Sequence, residues 1–143
     1  MKRDQLARLV KPFPAAYVHE NPGGQGRGSY VSHDVITQRL LHVLDGYSTE
    51  VVQVLRGTSK KGTPDVVVGV ILRLTSTIDG HPYSVSEVGD CENPDTWPHD
   101  GARMKDAMSD AIKRCAMRLG VGIHLWAGQE FFLDRALAPT EAS

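Results

Sequence analysis

The sequence predicts an α+β domain in which a three-stranded antiparallel sheet with a hairpin packs against one long helix. Asp79-Gly80 is a two-residue hairpin signal between two strand-like segments. The segment 102–119 has apolar residues at helical spacing and ends at Gly120. The elements run helix, three strands, helix, and do not alternate strand with helix. The length of 143 residues indicates a single domain, 1–143, with its core at about 12–133.

The predicted elements follow in chain order. The N-terminal stretch is weakly amphipathic, ends in breakers at 11–14 and is followed by a glycine-rich loop at 21–28. Ser32 or Asp34 then caps a helix that Gly46 ends. The apolar face of this helix consists of Ile36, Leu40, Val43 and Leu44.

Strands are predicted at 49–55, 66–77 and 83–88, and a polar loop at 90–100 leads into the long helix. Gly120 and Gly122 end that helix. We expect the apolar side chains that follow to cover the core: Ile123, Leu125, Trp126, Phe131, Phe132 and Leu133.

Composition excludes several classes of protein. No apolar run approaches the roughly 20 residues of a membrane helix, and the basic start lacks the apolar region of a secretory signal. Cys91 and Cys115 are the only cysteines and form no CxxC pair, so neither a zinc site nor a disulfide framework is predicted. The cysteine content fits a reducing, cytoplasmic setting best.

The net charge of −1 hides an uneven distribution. Residues 79–100 contain six acids and no Lys or Arg. Residues 103–118 contain five bases: Arg103, Lys105, Lys113, Arg114 and Arg118. A second basic cluster consists of Arg56, Lys60 and Lys61. Local positive fields of this kind attract phosphate backbones even when the net charge does not.

The polar side of the long helix admits two interpretations. The core-facing stripe comprises Met104, Met108, Ile112, Cys115 and Leu119. On the opposite side, Asp110 and Arg114 are four residues apart and can form an ordinary ion pair on a solvated face. Lys113, Arg114 and Arg118, however, are more basic residues than the helix dipole requires at this end.

Nothing in the sequence indicates an enzyme, a cofactor or a metal site. The six histidines form no HxxxH or HExxH pattern, and the glycine-rich loop lacks the Lys-Ser/Thr of a phosphate-binding P-loop. Cys115 lies on the apolar stripe, where core packing explains it. No pair of residues has the spacing of a catalytic acid and base.

Three segments together resemble the Rad52 family of single-strand annealing proteins. Residues 109–120 (SDAIKRCAMRLG) are similar to its signature helix. The hairpin segments Val68-Gly69-Val70, Asp79-Gly80 and Glu87-Val88-Gly89 are similar to its strand–turn–strand unit. Gly28-Ser29-Tyr30-Val31, the helix that follows and Asp45-Gly46 are similar to its entry helix. The resemblance spans roughly 12–126 and looks most like a compact phage or bacterial member.

The resemblance implies a closed homo-oligomeric ring whose outer groove holds single-stranded DNA. Lys113 and Arg114 match the family's phosphate-contacting pair, and Ser109, Lys105 and Tyr30 match neighbouring groove positions. Arg27 would substitute for a family arginine that precedes the glycine loop. The wider set of expected DNA contacts adds four bases from the charge clusters: Arg118, Arg56, Lys60 and Lys61.

The expected function is non-catalytic annealing of complementary strands in homologous recombination and DNA repair. It needs no cofactor, and its partners would be single-stranded DNA, further copies of the chain and a single-strand-binding protein, but no membrane. The alternative is a non-catalytic oligomeric interaction domain whose basic face binds an acidic protein.

Overall fold

The computed structural model describes residues 1–20 and 28–139. Its helices are α1 Arg3–Val10, α2 His33–Val43, α3 Asp100–Arg118, α4 Ile123–Ala127 and α5 Leu133–Ala136. Its strands are β1 His19–Glu20, β2 Ser29–Tyr30, β3 Tyr47–Gly57, β4 Val66–Ile78 and β5 His81–Asp90. Short 3₁₀ turns lie at Ala15–Tyr17, Pro94–Thr96 and Gly128–Glu130. No helix in these ranges is long and apolar enough to span a membrane.

The three-stranded antiparallel sheet is confirmed, with strand order β3-β4-β5. Asp79 and Gly80 join β4 to β5 with φ values of 53° and 78°, the backbone that a tight hairpin turn needs. All three strands extend beyond their predicted bounds because residues at their ends also pair, as Tyr47 does with Ser76 and Ile78 with His81. A second, two-stranded sheet of β1 and β2 was not predicted from the sequence.

The long helix is also confirmed, but its core-facing stripe differs from the prediction. Cys115 and Leu119 are buried, whereas Met104, Met108 and Ile112 are only half-buried. The centre of the contact with β5 consists of small residues, where Ala107 and Ala111 meet Gly89. Helix and sheet are therefore too close for large side chains at the centre, and the methionines lie at its margin.

Gly89 on β5 is the point of closest approach. A Cβ placed there would lie 2.6 Å from the Cβ of Ala111 and closer still to the carbonyl oxygen of Ala107. These are backbone and short side-chain atoms of a helix, which cannot rotate away. Only glycine fits at this position unless α3 moves outward.

The N-terminal segment contributes more to the core than its weak amphipathicity suggests. Leu9 and Val10 are fully buried. Arg39 of α2 donates hydrogen bonds to carbonyl oxygens at the end of α1, with distances of 3.0 Å to Leu9 and 2.7 Å to Lys11. Its guanidinium lies 4.3 Å from the centroid of the Phe13 ring. A side chain on α2 thus satisfies carbonyls that the short α1 leaves unpaired.

The segment after α3 corrects one prediction. Ile123, Leu125, Phe131 and Leu133 are half-buried, but Trp126 and Phe132 are 54% and 65% exposed, so the expectation that these two cover the core was wrong. Helix α4 has only five residues. Consecutive residues of a helix point about 100° apart, and in α4 Leu125 is the one that packs against the core while Trp126 is exposed.

His124 lies between the rings of Phe13 and Phe131, with centroids 5.9 Å and 6.0 Å away. Its Nε2 accepts a 3.4 Å hydrogen bond from the Phe13 N–H, whereas its buried Nδ1 has no partner in the described part of the chain. Burial lowers the pKa of His124, the Arg39 guanidinium lowers it further, and Asp134 partly opposes both. The folded protein therefore favours the neutral imidazole.

Replacing Gly89 by Ala should destabilise the fold by about 3 kcal/mol, the upper end of typical overpacking costs, because the new methyl meets the backbone of α3. Urea unfolding followed by circular dichroism measures the change. Gly57→Ala is the control, since a Cβ there lies 3.5 Å from a Val68 methyl, an ordinary contact. Equal stability of the two variants would contradict the close approach.

Acidification should weaken the fold through His124. The pKa of His124 is lower in the folded chain than the ordinary histidine pKa of 6.5. Its contribution to the free energy of unfolding is therefore fully present above pH 6.5 and is lost as the pH falls through the folded pKa. Urea titrations at several pH values between 7.5 and 5 measure this decrease. It should become smaller in His124→Gln and stay unchanged in His81→Gln, which alters an exposed histidine. A decrease of the same size in His124→Gln would rule out this residue as its source.

Candidate nucleic-acid interface

The C-terminal half of α3 brings two cations beside two exposed aromatic rings. Lys113 Nζ lies 5.4 Å from the ring centroid of Tyr30 on β2. The Arg114 guanidinium carbon lies 5.4 Å from the ring centroid of Trp126 on α4. Tyr30 is 38% exposed and Trp126 is 54% exposed. We refer to Tyr30, Lys113, Arg114 and Trp126 as the cation–aromatic cluster.

Lys113 is half-buried, and its burial lowers its pKa, whereas Asp110 and Asp106 partly restore it. A partly dehydrated ammonium interacts more strongly with an incoming anion than a fully hydrated one does, because less solvent screens the charge. Placement above the Tyr30 ring also orients the ammonium toward the aromatic side of α3.

The two arginines are held in ion pairs. Arg114 Nε lies 3.0 Å from Asp110 Oδ2, the i,i+4 pair that the sequence allows. Arg118 Nη1 lies 3.0 Å from Glu87 on β5. Asp110 is further held because the Asp90 N–H donates to the same oxygen at 3.0 Å. Both interpretations of the polar face of α3 are therefore partly correct. The basic residues are grouped at one end of the helix, and carboxylates pair with two of them.

A cavity of about 290 Å³ lies beside these cations. It is lined by Asp90, Glu92, Asp106, Ser109, Asp110, Lys113 and Arg114. Four carboxylates against two cations make it unfavourable for a phosphate. The described residues that line the pocket of Tyr30, Lys113 and Trp126 include no acidic residue, so an anion meets less negative charge there.

Two other predicted residues lie on the same helix. Ser109 Oγ is 3.5 Å from His33 Nδ1, which joins α3 to the start of α2. Lys105 is exposed and lies two turns before Lys113, about 12 Å along the axis. Arg27 is outside the described residues.

Arg56, Lys60 and Lys61 are not brought to the cation–aromatic cluster. Arg56 pairs with Asp100 at 3.1 Å, and the Lys61 N–H donates to Asp95 at 3.1 Å. Asp100 begins α3, thirteen residues before Lys113, which is about 20 Å away along the helix. The second basic region thus lies at the opposite end of the helix, and its arginine holds the helix start against the sheet.

Trp126 was not among the residues predicted to bind DNA, because its apolar character placed it in the expected core. One signal was available. Gly122 and Gly128 flank a short helical segment in which few side chains can reach the core. The described residues also contain no group of three or more His, Cys, Asp or Glu side chains that could hold a metal ion.

Comparison with known proteins gives one family match. The model described as "Rad52/22 family double-strand break repair protein" matches residues 2–141, nearly the whole chain. A search of curated proteins finds no match.

Proposed function

The chain belongs to the Rad52/22 family of double-strand break repair proteins, and on this premise we propose that it binds single-stranded DNA through Lys113 and Arg114 and anneals complementary strands. The family as a whole acts in DNA repair and recombination, with single-strand annealing as its general activity. The observation that supports our assignment is the pair of adjacent cations on α3, which face exposed aromatic rings on one side.

Binding involves an exchange of ion pairs. A phosphate that reaches Arg114 or Arg118 replaces Asp110 or Glu87 as the partner. Exposed pairs of this kind contribute only about 0–1 kcal/mol, whereas a phosphate offers arginine two parallel hydrogen bonds. Lys113 and Arg114 contact the backbone and leave base edges free, so binding does not depend on sequence.

We further propose that the chain acts as a homo-oligomeric ring. Few cations from one subunit reach the strand, and a ring repeats them along a continuous groove. Strands β3 and β5 are the edges of the sheet and bear exposed apolar side chains, among them Val52 at 45% and Val88 at 43%. Long edges of this kind are templates for pairing with another chain. A monomer in light scattering with DNA present would contradict the ring.

Annealing in this form requires no bond to be made or broken, so the proposed activity is non-catalytic and needs no cofactor. The strands available for annealing are those that a single-strand-binding protein covers, and such a protein is therefore a proposed partner. An acidic protein that binds the same cations is the competing assignment. Polyglutamate would then displace the bound strand as well as an oligonucleotide of equal charge does.

The direct test is an annealing assay with two complementary labelled oligonucleotides, read by energy transfer as the strands pair. The protein should increase the annealing rate without added nucleotide or metal. Binding of single strands without any increase in rate would indicate strand protection rather than annealing.

Replacing Lys113 and Arg114 by Ala should weaken binding of single strands on the order of tenfold or more at 0.1 M salt, whatever the sequence. The slope of log K against log salt should decrease by about 1.4 per chain, because each lost contact accounts for about 0.7. Fluorescence anisotropy with a labelled oligonucleotide measures both. The control is Arg73→Ala, an exposed residue between buried Leu72 and Leu74 and hence on the opposite sheet face. An unchanged slope in the double variant would reject these contacts.

Replacing Asp110 by Asn should strengthen binding, because Arg114 loses its competing carboxylate, while the amide oxygen can still accept the Asp90 N–H. Glu50→Gln is the matched control, since Glu50 pairs with Arg73 at 3.4 Å on the other sheet face. Anisotropy at constant ionic strength compares the two. Equal effects would show that only net charge matters, and a loss of affinity in Asp110→Asn would contradict the ion-pair exchange.

A further inference from the structure

We propose that the indole of Trp126 is a stacking surface for one base of the bound strand. The inference rests on the proposed DNA-binding function and adds a residue and a type of contact to it. Its basis is the position of Trp126, which is exposed and lies directly beside a cation that is proposed to hold the backbone.

The exposure of Trp126 is built into the fold. Gly122 adopts a left-handed conformation with φ 78° immediately before α4, and the Leu125 N–H donates to its carbonyl oxygen at 3.0 Å. Leu125 packs against the core. The next residue in the helix, Trp126, is 54% exposed, and the helix that Leu125 anchors holds it in that position.

Arg114 and the Trp126 ring together can bind the two parts of a nucleotide, its phosphate and its base. The Arg114 guanidinium lies over the indole, 5.4 Å from its centroid. A phosphate bound to Arg114 therefore brings the base of the same or the next nucleotide within reach of the exposed part of the ring. Proteins that bind single strands without sequence preference combine these same two features, a cationic track and aromatic rings on which bases stack.

The contact is open and does not enclose the base. The pocket between Tyr30 and Trp126 has a volume of only about 60 Å³, far below the roughly 300–1,000 Å³ of sites that enclose small molecules. A base must then lie on the exposed face of the indole with its pairing edge free. Every base has such a face, so the contact tolerates any sequence, as annealing requires.

Fluorescence tests the contact directly. Trp97 and Trp126 are the only tryptophans, so Trp97→Phe leaves Trp126 as the single indole. Oligo(dT) should quench its emission, whereas an abasic oligonucleotide of equal length, which has phosphates but no bases, should not. In the reverse variant, Trp126→Phe, the emission of Trp97 should not respond to either. Equal responses of Trp126 to oligo(dT) and the abasic strand would overturn the proposal.

Affinity gives a second readout. Trp126→Ala should bind oligo(dT) on the order of tenfold more weakly, bind the abasic strand as the unmodified chain does, and be largely rescued by Trp126→Phe. Equal weakening for both strands, or none, would overturn the stacking role. A smaller assembly of Trp126→Ala in light scattering would instead assign the indole to a contact between subunits. If the unmodified chain binds neither strand, the proposed function itself fails, which is a different result.

Discussion

The close contact between α3 and β5 at Gly89 determines where every other part of the site can be. A helix can approach a sheet this closely only if glycine and alanine meet at the centre, here Gly89 with Ala107 and Ala111. The rest of the core packs around that contact, including Cys115, whose thiol lies 3.7 Å from the Leu72 carbonyl oxygen. The orientation of α3 is thereby defined, and Lys113 must point away from the sheet toward β2.

The same contact sets the electrostatics of the surface. The antiparallel hairpin returns an acidic strand along the helix, so that Glu87 meets Arg118 and the backbone of Asp90 holds Asp110 against Arg114. Arg114 and Arg118 are thus paired with carboxylates, while Lys113 and Arg114 also lie beside aromatic rings. This arrangement lets a net charge of −1 coexist with a surface that suits an anionic strand.

Much of the fold follows from local patterns. Asp79-Gly80 predicted the hairpin because few residues adopt positive φ at both turn positions, and the spacing of apolar residues predicted α3. The N-terminal helix was underestimated because its stability comes from Leu9, Val10 and the hydrogen bonds of Arg39, all of which depend on distant residues. Trp126 was misplaced for a related reason, since hydrophobicity alone does not reveal which of two neighbouring apolar residues faces the core.

The sequence by itself determined that Lys113 and Arg114 are adjacent on one amphipathic helix and that a hairpin precedes this helix. Only the tertiary structure decided which bases are paired and what lies beside them. Arg118 and Glu87 are 31 residues apart, and Arg114 and Trp126 belong to different helices. Helical periodicity describes the direction of a side chain from its own axis. Ion pairs and ring contacts between different elements depend on the distances between the axes of those elements, and the packing of the whole chain sets those distances.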